Sequence, residues 1–285
     1  MKQLPNVSAL LYCTPWAILP PAHAELGKLY KNYLDGTLPA VSTADVVAVE
    51  GGSNRVSSGI AYHADHSAKL ACVWLNGIVA KNAPDMLCGP RVIDLTKLDF
   101  LLSDLQEDTG IETVVLVLNT PGGSVTGLEE TAALLREMAT SKRLIAYADD
   151  LCASAGYYLA AACDEIYCAP SARIGSIGTY IAALDDSRAW EMEGFELKLF
   201  RVGSLKAIGH PGKQWTPEEE AYLQDMADEV GGEFRAWVTD RRPGIEDSSM
   251  QGQVFFAKSA PAGLVDGLRN RLDDLLAEIM ASAEI

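Results

Sequence analysis

The chain has 285 residues, 48% of them hydrophobic, and a formal net charge of −16. That length supports one large domain or two small ones, and an Ala-, Gly- and Leu-rich, aromatic-poor composition suits an α/β protein with closely packed helices. The negative charge excludes nucleic acid as a natural partner, disfavours an anionic membrane surface, and is joined by no apolar run of ~20 residues that would form a transmembrane anchor.

Residues 1–68 read as a partly helical N-terminal extension, either mobile or an oligomerisation arm. Val7–Leu11 and Trp16–Leu19 are apolar, but Pro5, Pro15, Pro20 and Pro21 interrupt them and Lys2 is the only basic residue ahead. A secretory leader is therefore the weaker reading. Spacing of Leu26, Leu29, Tyr30 and Tyr33 predicts a helix over Ala22–Leu34, ended by Asp35-Gly36. Val46–Glu50 suits a short strand, and the Gly/Ser-rich stretches after it suit turns. His63 and His66 lack a third ligand of matching type nearby, so a surface loop is the better reading than a metal site.

Residues 69–285 hold the expected main domain. Lys69–Asn76 reads as a strand, with Gly77 as a turn. Leu98, Leu101, Leu102 and Leu105 mark a helix over 95–106. Thr113–Leu118 is apolar and β-branched throughout, as a strand covered on both faces would be. Asn119-Thr120-Pro121-Gly122-Gly123-Ser124-Val125 follows it, and then a helix from about Thr126 to Met138. The same order recurs: strand Leu144–Ala148, the stretch Leu151-Cys152-Ala153-Ser154-Ala155-Gly156-Tyr157-Tyr158, and a helix to Ala162. A strand at Glu165–Cys168 precedes a glycine-punctuated turn, Ser171–Gly178. Phe195–Val202 alternates as a strand and runs into Gly203-Ser204-Leu205-Lys206-Ala207-Ile208-Gly209. Thr216-Pro217-Glu218-Glu219 has the pattern of a capping box with proline at the first helical position, opening a helix to Arg241. A final amphipathic helix spans Arg269–Ala283.

The six cysteines, Cys13, Cys72, Cys88, Cys152, Cys163 and Cys168, show no C-x-x-C or Cys/His ligand spacing and mostly sit in apolar runs. They read as reduced, buried thiols of a cytoplasmic protein, and no metal or other cofactor is expected.

Ser154 alone is an ordinary helix N-cap candidate. A glycine turn after a buried strand aims backbone N–H groups into the space above the strand end. Phosphate loops and oxyanion holes both use this, but neither phosphate-loop glycine pattern is present. A serine nucleophile needs a base. The four histidines, His23, His63, His66 and His210, include none between Ser154 and Gly203. Lys206, flanked by Leu205, Ala207 and Ile208, is the better base candidate, because burial among apolar neighbours favours a neutral amine. Standing against this is the ordinary role of a loop lysine, which is solvation.

Taken together, N-T-P-G-G-S-V, A-S-A-G-Y-Y, I-G-S-I-G and G-S-L-K-A-I-G, in that order, resemble the signal peptide peptidase family of serine–lysine proteases, peptidase family S49. The likeness is strongest to the prohead or head-maturation proteases of tailed phages, and it covers about Lys69 to Arg269. The resemblance implies an α/β, crotonase/ClpP-like fold of stacked β-β-α units in oligomeric rings. It implies Ser154 as nucleophile, Lys206 as general base and Ser176 as a hydroxyl holding the lysine amine. Gly122, Gly123 and Ala155 would give the oxyanion-hole N–H groups. Thr120 stands where the family often has serine, Ala155 where it often has glycine, and Leu205 and Ala207 flank the lysine where tyrosine and serine are usual. The implied function is a Ser-Lys endopeptidase maturing phage capsids by cleaving scaffold or portal chains, in the host cytoplasm or the procapsid. Alternatives are a housekeeping protease of signal peptides, an inert capsid-assembly scaffold and, least favoured, a crotonase-like acyl-CoA enzyme.

Overall fold

The structure is a computed structural model that describes residues 11, 13–34, 54–56, 59–82 and 92–283. The expected strand Val46–Glu50 and Cys88 lie outside the described residues. In chain order the strands are β1 (Pro15–Ile18), β2 (Asn54–Arg55), β3 (Ile60–Asp65), β4 (Leu70–Asn76), β5 (Ile78–Ala80), β6 (Val92–Asp94), β7 (Thr113–Thr120), β8 (Gly122–Ser124), β9 (Arg143–Ala153), β10 (Glu165–Cys168), β11 (Arg173–Gly175), β12 (Tyr180–Ile181), β13 (Val254–Phe256) and β14 (Gly267–Leu268). The helices are α1 (Pro20–Leu34), α2 (Leu95–Glu107), α3 (Leu128–Met138), α4 (Ala155–Ala160), α5 (Ser187–Met192), α6 (Pro217–Arg241) and α7 (Leu272–Ala283).

Two sheets share these strands. The larger runs β13-β11-β9-β7-β4-β3-β2, with β10 and β14 branching from β9. Its centre, β4, β7, β9 and β11, is parallel. Val114 to Leu118 of β7 are all buried, as an apolar strand covered on both faces must be. The smaller sheet runs β12-β1-β8-β5-β6. Each long strand reaches it through a tight turn: β4 passes to β5 at Gly77, whose φ is 120°, and β7 passes to β8 at Pro121. Helix α2 follows β6, and α3 follows β8. The expected α/β fold of stacked β-β-α units is what the chain forms.

The capping box expected at Thr216 is present. Its hydroxyl accepts from the Glu219 N–H, and the Glu219 carboxylate accepts from the Thr216 N–H. Helix α6 docks on α4 through Tyr158, which stacks on Trp237 at 5.2 Å and meets Phe234 edge-on at 5.1 Å.

Three expectations need correction. A boundary at 68/69 would cut a hairpin, because β3 pairs antiparallel with β4 along its whole length; the polar His63-Ala64-Asp65-His66 run hid a strand and its turn. Residues 195–202 alternate as a strand should, yet among the described residues no strand lies beside them, and an extended segment without a ladder partner is not a strand. The mobility expected of the N-terminal extension does not hold at its apolar run. Residues 15–18 are a central strand of the smaller sheet.

Candidate active site

Three strand ends meet at Ser154. Strand β9 follows β7 in register to the pair Leu118/Ala148, bulges, and resumes at Thr120/Cys152. The bulge carries the chain past exposed Asp149 and Asp150 and brings Cys152 level with the end of β7, with Ala153 just beyond it. Strand β11 runs parallel beside Leu151–Ala153 and ends at Gly175, opposite Ala153.

Ser154 occupies the N-cap position of α4 but does not cap it with its side chain. Its φ of 55° and ψ of −118° belong to a region that glycine favours, and its N–H donates to the Gly175 carbonyl at 2.8 Å. The residue is 1% exposed. A strained backbone at a strand-to-helix turn holds the hydroxyl at the start of the helix, where the first amides have no partner within the helix.

Gly122 sits against this turn. A Cβ added there, at φ 96°, would lie 2.8 Å from the Ser154 Cβ, 3.0 Å from the Ala155 nitrogen and 2.1 Å from the Ala17 carbonyl oxygen. At Gly123 an added Cβ would lie 1.9 Å from the Val79 carbonyl oxygen. Thr120 links the two motifs. Its hydroxyl accepts from the Gly122 N–H at 3.1 Å, and its methyl packs where a Gly156 side chain would be, 2.3 Å from that Cβ position. Ser176, with φ 53°, follows Gly175 directly, is buried, and donates its N–H to the Gln253 carbonyl at 2.6 Å. Ser154, Ala155, Gly122 and Ser176 therefore cluster, with Gly123 one residue away.

Lys206 is not joined to them by a hydrogen bond. It lies exposed in the irregular segment after residue 200, where its N–H bonds the Gly203 carbonyl at 3.3 Å. The expected apolar enclosure of its amine is absent among the described residues. The segment is anchored on either side by Glu219, a fully buried carboxylate that takes a salt bridge from Arg201 at 3.3 Å and another from Lys213. Burial opposes the charge of Glu219 most strongly, but the Lys213 hydrogen bond and the Thr216 cap outweigh it together, so its pKa is lowered.

No histidine serves as an alternative base in this cluster. His210 is exposed, with Nδ1 2.7 Å from the Pro211 carbonyl oxygen; His66 pairs with Asp108; buried His23 bonds the Leu11 carbonyl oxygen at 2.9 Å. Cys152 and Cys163 are buried and their thiols are pushed well up by desolvation, so neither competes as a nucleophile.

The sequence pattern of peptidase family S49 matches residues 136–285, more than half of the chain and a span that includes Ser154, Ser176 and Lys206. The chain belongs to peptidase family S49. A Methanocaldococcus jannaschii protein named as a protease is 31% identical over 179 residues, 61% of this chain and 58% of its own length. One from Enterococcus faecium, named for the signal peptide peptidase SppA, is 28% identical over 61% of this chain and 51% of its own length. The capsid assembly protease C of Escherichia phage lambda is 28% identical over 96% of this chain and 65% of its own length. The chain thus spans between about half and two thirds of the length of these relatives. Among solved structures, an enoyl-CoA hydratase from Shewanella pealeana aligns over 79% of this chain and 73% of its own, at 8% identity and a TM-score of 0.44. Among the described residues, no helix is long and apolar enough to cross a membrane.

Sequence reasoning missed β1. It lies between β8 and β12, antiparallel to both, beside Gly122. The available signal was the alternation of Trp16 and Ile18 around Ala17, obscured by the prolines on either side.

Proposed function

We propose that the chain is a serine endopeptidase in which Ser154 is the nucleophile and Lys206 the general base. The observation that carries this reading is the strained Ser154 turn packed against Gly122 and Ala155. The N–H of Ala155, the first helical residue, and the N–H groups of the Gly122-Gly123 turn are the donors proposed to receive the oxyanion. In the proposed reaction the Ser154 hydroxyl gives its proton to the neutral amine of Lys206 and attacks the peptide carbonyl. The ammonium then returns a proton to the leaving nitrogen, and water releases the acyl group. Ser176 is the hydroxyl proposed to hold the amine.

The substrate class we favour is the scaffold or portal chains of a phage prohead. Support comes from the lambda protease C, whose similarity runs over almost the entire chain, early residues included. The chain would act as a homo-oligomer. Phe200 and Val202, 97% and 96% exposed, stand with Phe195 and Leu199 on the segment that carries Lys206. Another copy covering this face would give residues 195–202 the strand partner they lack and would take Lys206 out of water, the condition that favours its neutral form.

The test is co-expression with neighbouring gene products, wild type against Ser154→Ala, with mass spectrometry of the cleaved ends. Portal or scaffold cleavage by wild type alone is expected, with activity rising toward alkaline pH. Cleavage of leftover signal peptides instead would favour the housekeeping role, and identical ends in both samples would overturn the protease reading.

A further inference from the structure

We propose that β1 is an internal stand-in for a bound peptide: it fills an extended-peptide site between Gly122–Ser124 and Tyr180–Ile181, and substrate enters only when this strand leaves. The proposal rests on the reading of Ser154 as nucleophile.

The register defines the site. Trp16, Ala17 and Ile18 pair with Ser124, Gly123 and Gly122 on one side, while Pro15 and Trp16 pair with Ile181 and Tyr180 on the other. Further bonds hold the run at both ends: Cys13 N–H to the Ala182 carbonyl, and Leu19 N–H to the Pro121 carbonyl, each 2.9 Å. Without β1, two facing strand edges would present unpaired main-chain donors and acceptors across a gap one strand wide. Such a slot accepts an extended peptide through its backbone. The Ala17 carbonyl oxygen and the Ser154 Cβ both crowd the position that a Cβ on Gly122 would take, 2.1 and 2.8 Å from it. The stand-in thus carries a peptide carbonyl past the nucleophile. With it in place Ser154 is 1% exposed, and the Gly122–Ser124 edge is already paired and closed to a substrate backbone.

The strand is built to leave. Trp16 and Ile18 pack with Leu11 and Leu26 in a cluster separate from the main core, so undocking the strand withdraws only Ala17 from that core. Ala17 faces the other way, into the main core, and borders a cavity of about 340 Å³ lined by apolar Leu128, Tyr158, Phe234 and Trp237 and by Glu129, Glu130 and Glu233. Alanine underfills that space. A peptide with a larger apolar side chain at this register makes contacts that Ala17 does not. The Tyr180 hydroxyl beside the slot is buried with no hydrogen-bond partner among the described residues, a local defect of the occupied state.

Two full-length variants test this. Ala182→Cys sets a thiol beside native Cys13, and oxidation should lock the strand. Casein hydrolysis and labelling of Ser154 by a fluorophosphonate should both fall at least about tenfold on oxidation and recover with reductant. Trp16→Asp weakens docking and should raise both rates about tenfold. An oxidised form as fast as the reduced one, or a folded Trp16→Asp protein no faster than wild type, overturns the proposal. If no form labels or hydrolyses, the nucleophile assignment fails instead. Hydrogen exchange on Ser154→Ala then decides the strand question separately. A casein-derived peptide should speed exchange of the 16–18 amides, and unchanged exchange overturns displacement.

Discussion

The main-chain N–H of Ser154 donates to the carbonyl of Gly175 at 2.8 Å, which ties the candidate nucleophile to the strand that leads into Ser176. That bond helps to hold Ser154 at φ 55°, a conformation costing a non-glycine residue about 1–3 kcal/mol. Ser154→Gly should therefore be inactive yet more stable than wild type by about 1 kcal/mol, and Ser154→Ala inactive with no such gain. Denaturant unfolding of the two variants checks this. A glycine variant no more stable than the alanine one would remove the strain.

Gly122→Ala should fail both as a protein and as an enzyme. A methyl there meets the Ala17 carbonyl oxygen at 2.1 Å and the Ser154 Cβ at 2.8 Å, at a φ that side chains avoid. A loss of more than about 2 kcal/mol is expected. Thermal unfolding reads it, and a melting temperature within a degree of wild type would contradict the close approach.

Lys206→Met should leave unfolding unchanged within about 0.5 kcal/mol, because the side chain is exposed and forms no ion pair among the described residues. Peptide hydrolysis should nonetheless drop at least about 10²-fold if Lys206 is the base. Turnover at the wild-type rate would remove the lysine from the mechanism.

The buried carboxylate of Glu219 sets an acid limit. Its folded pKa is lowered, so the stability it contributes is present above the unfolded-state value and lost as pH falls through the folded one. Glu219→Gln keeps the shape and the cap but removes the charge that Arg201 and Lys213 share. It should cost about 1.5–3 kcal/mol at neutral pH and less as pH falls below the ordinary glutamate range. Parallel stability curves for the two proteins across that range would refute this.

The parts of the fold with strong local signals were legible in the sequence. The uniform apolar run of β7, the capping box of α6 and the leucine spacing of α2 each encode their element in neighbouring residues. So do the glycine turn and Ser154, whose meeting follows from parallel strands ending together. What stayed hidden depends on partners distant in sequence. The strand character of β1 exists only because β8 and β12 flank it, and residues 195–202, with the same alternation, are no strand because nothing does. The surroundings of Lys206 were misread for the same reason, since apolar neighbours in sequence enclose an amine only when something packs over them.

Arg201 and Lys213 grip one carboxylate from the two sides of the segment that bears Lys206. That clasp turns a long irregular stretch into a short closed loop. Much of the chain entropy that ordering such a segment would cost is already spent before any substrate or neighbouring copy arrives. Lys206 is therefore presented on a tethered hoop, and its docking needs mainly the ordering of the eleven residues between the two cations.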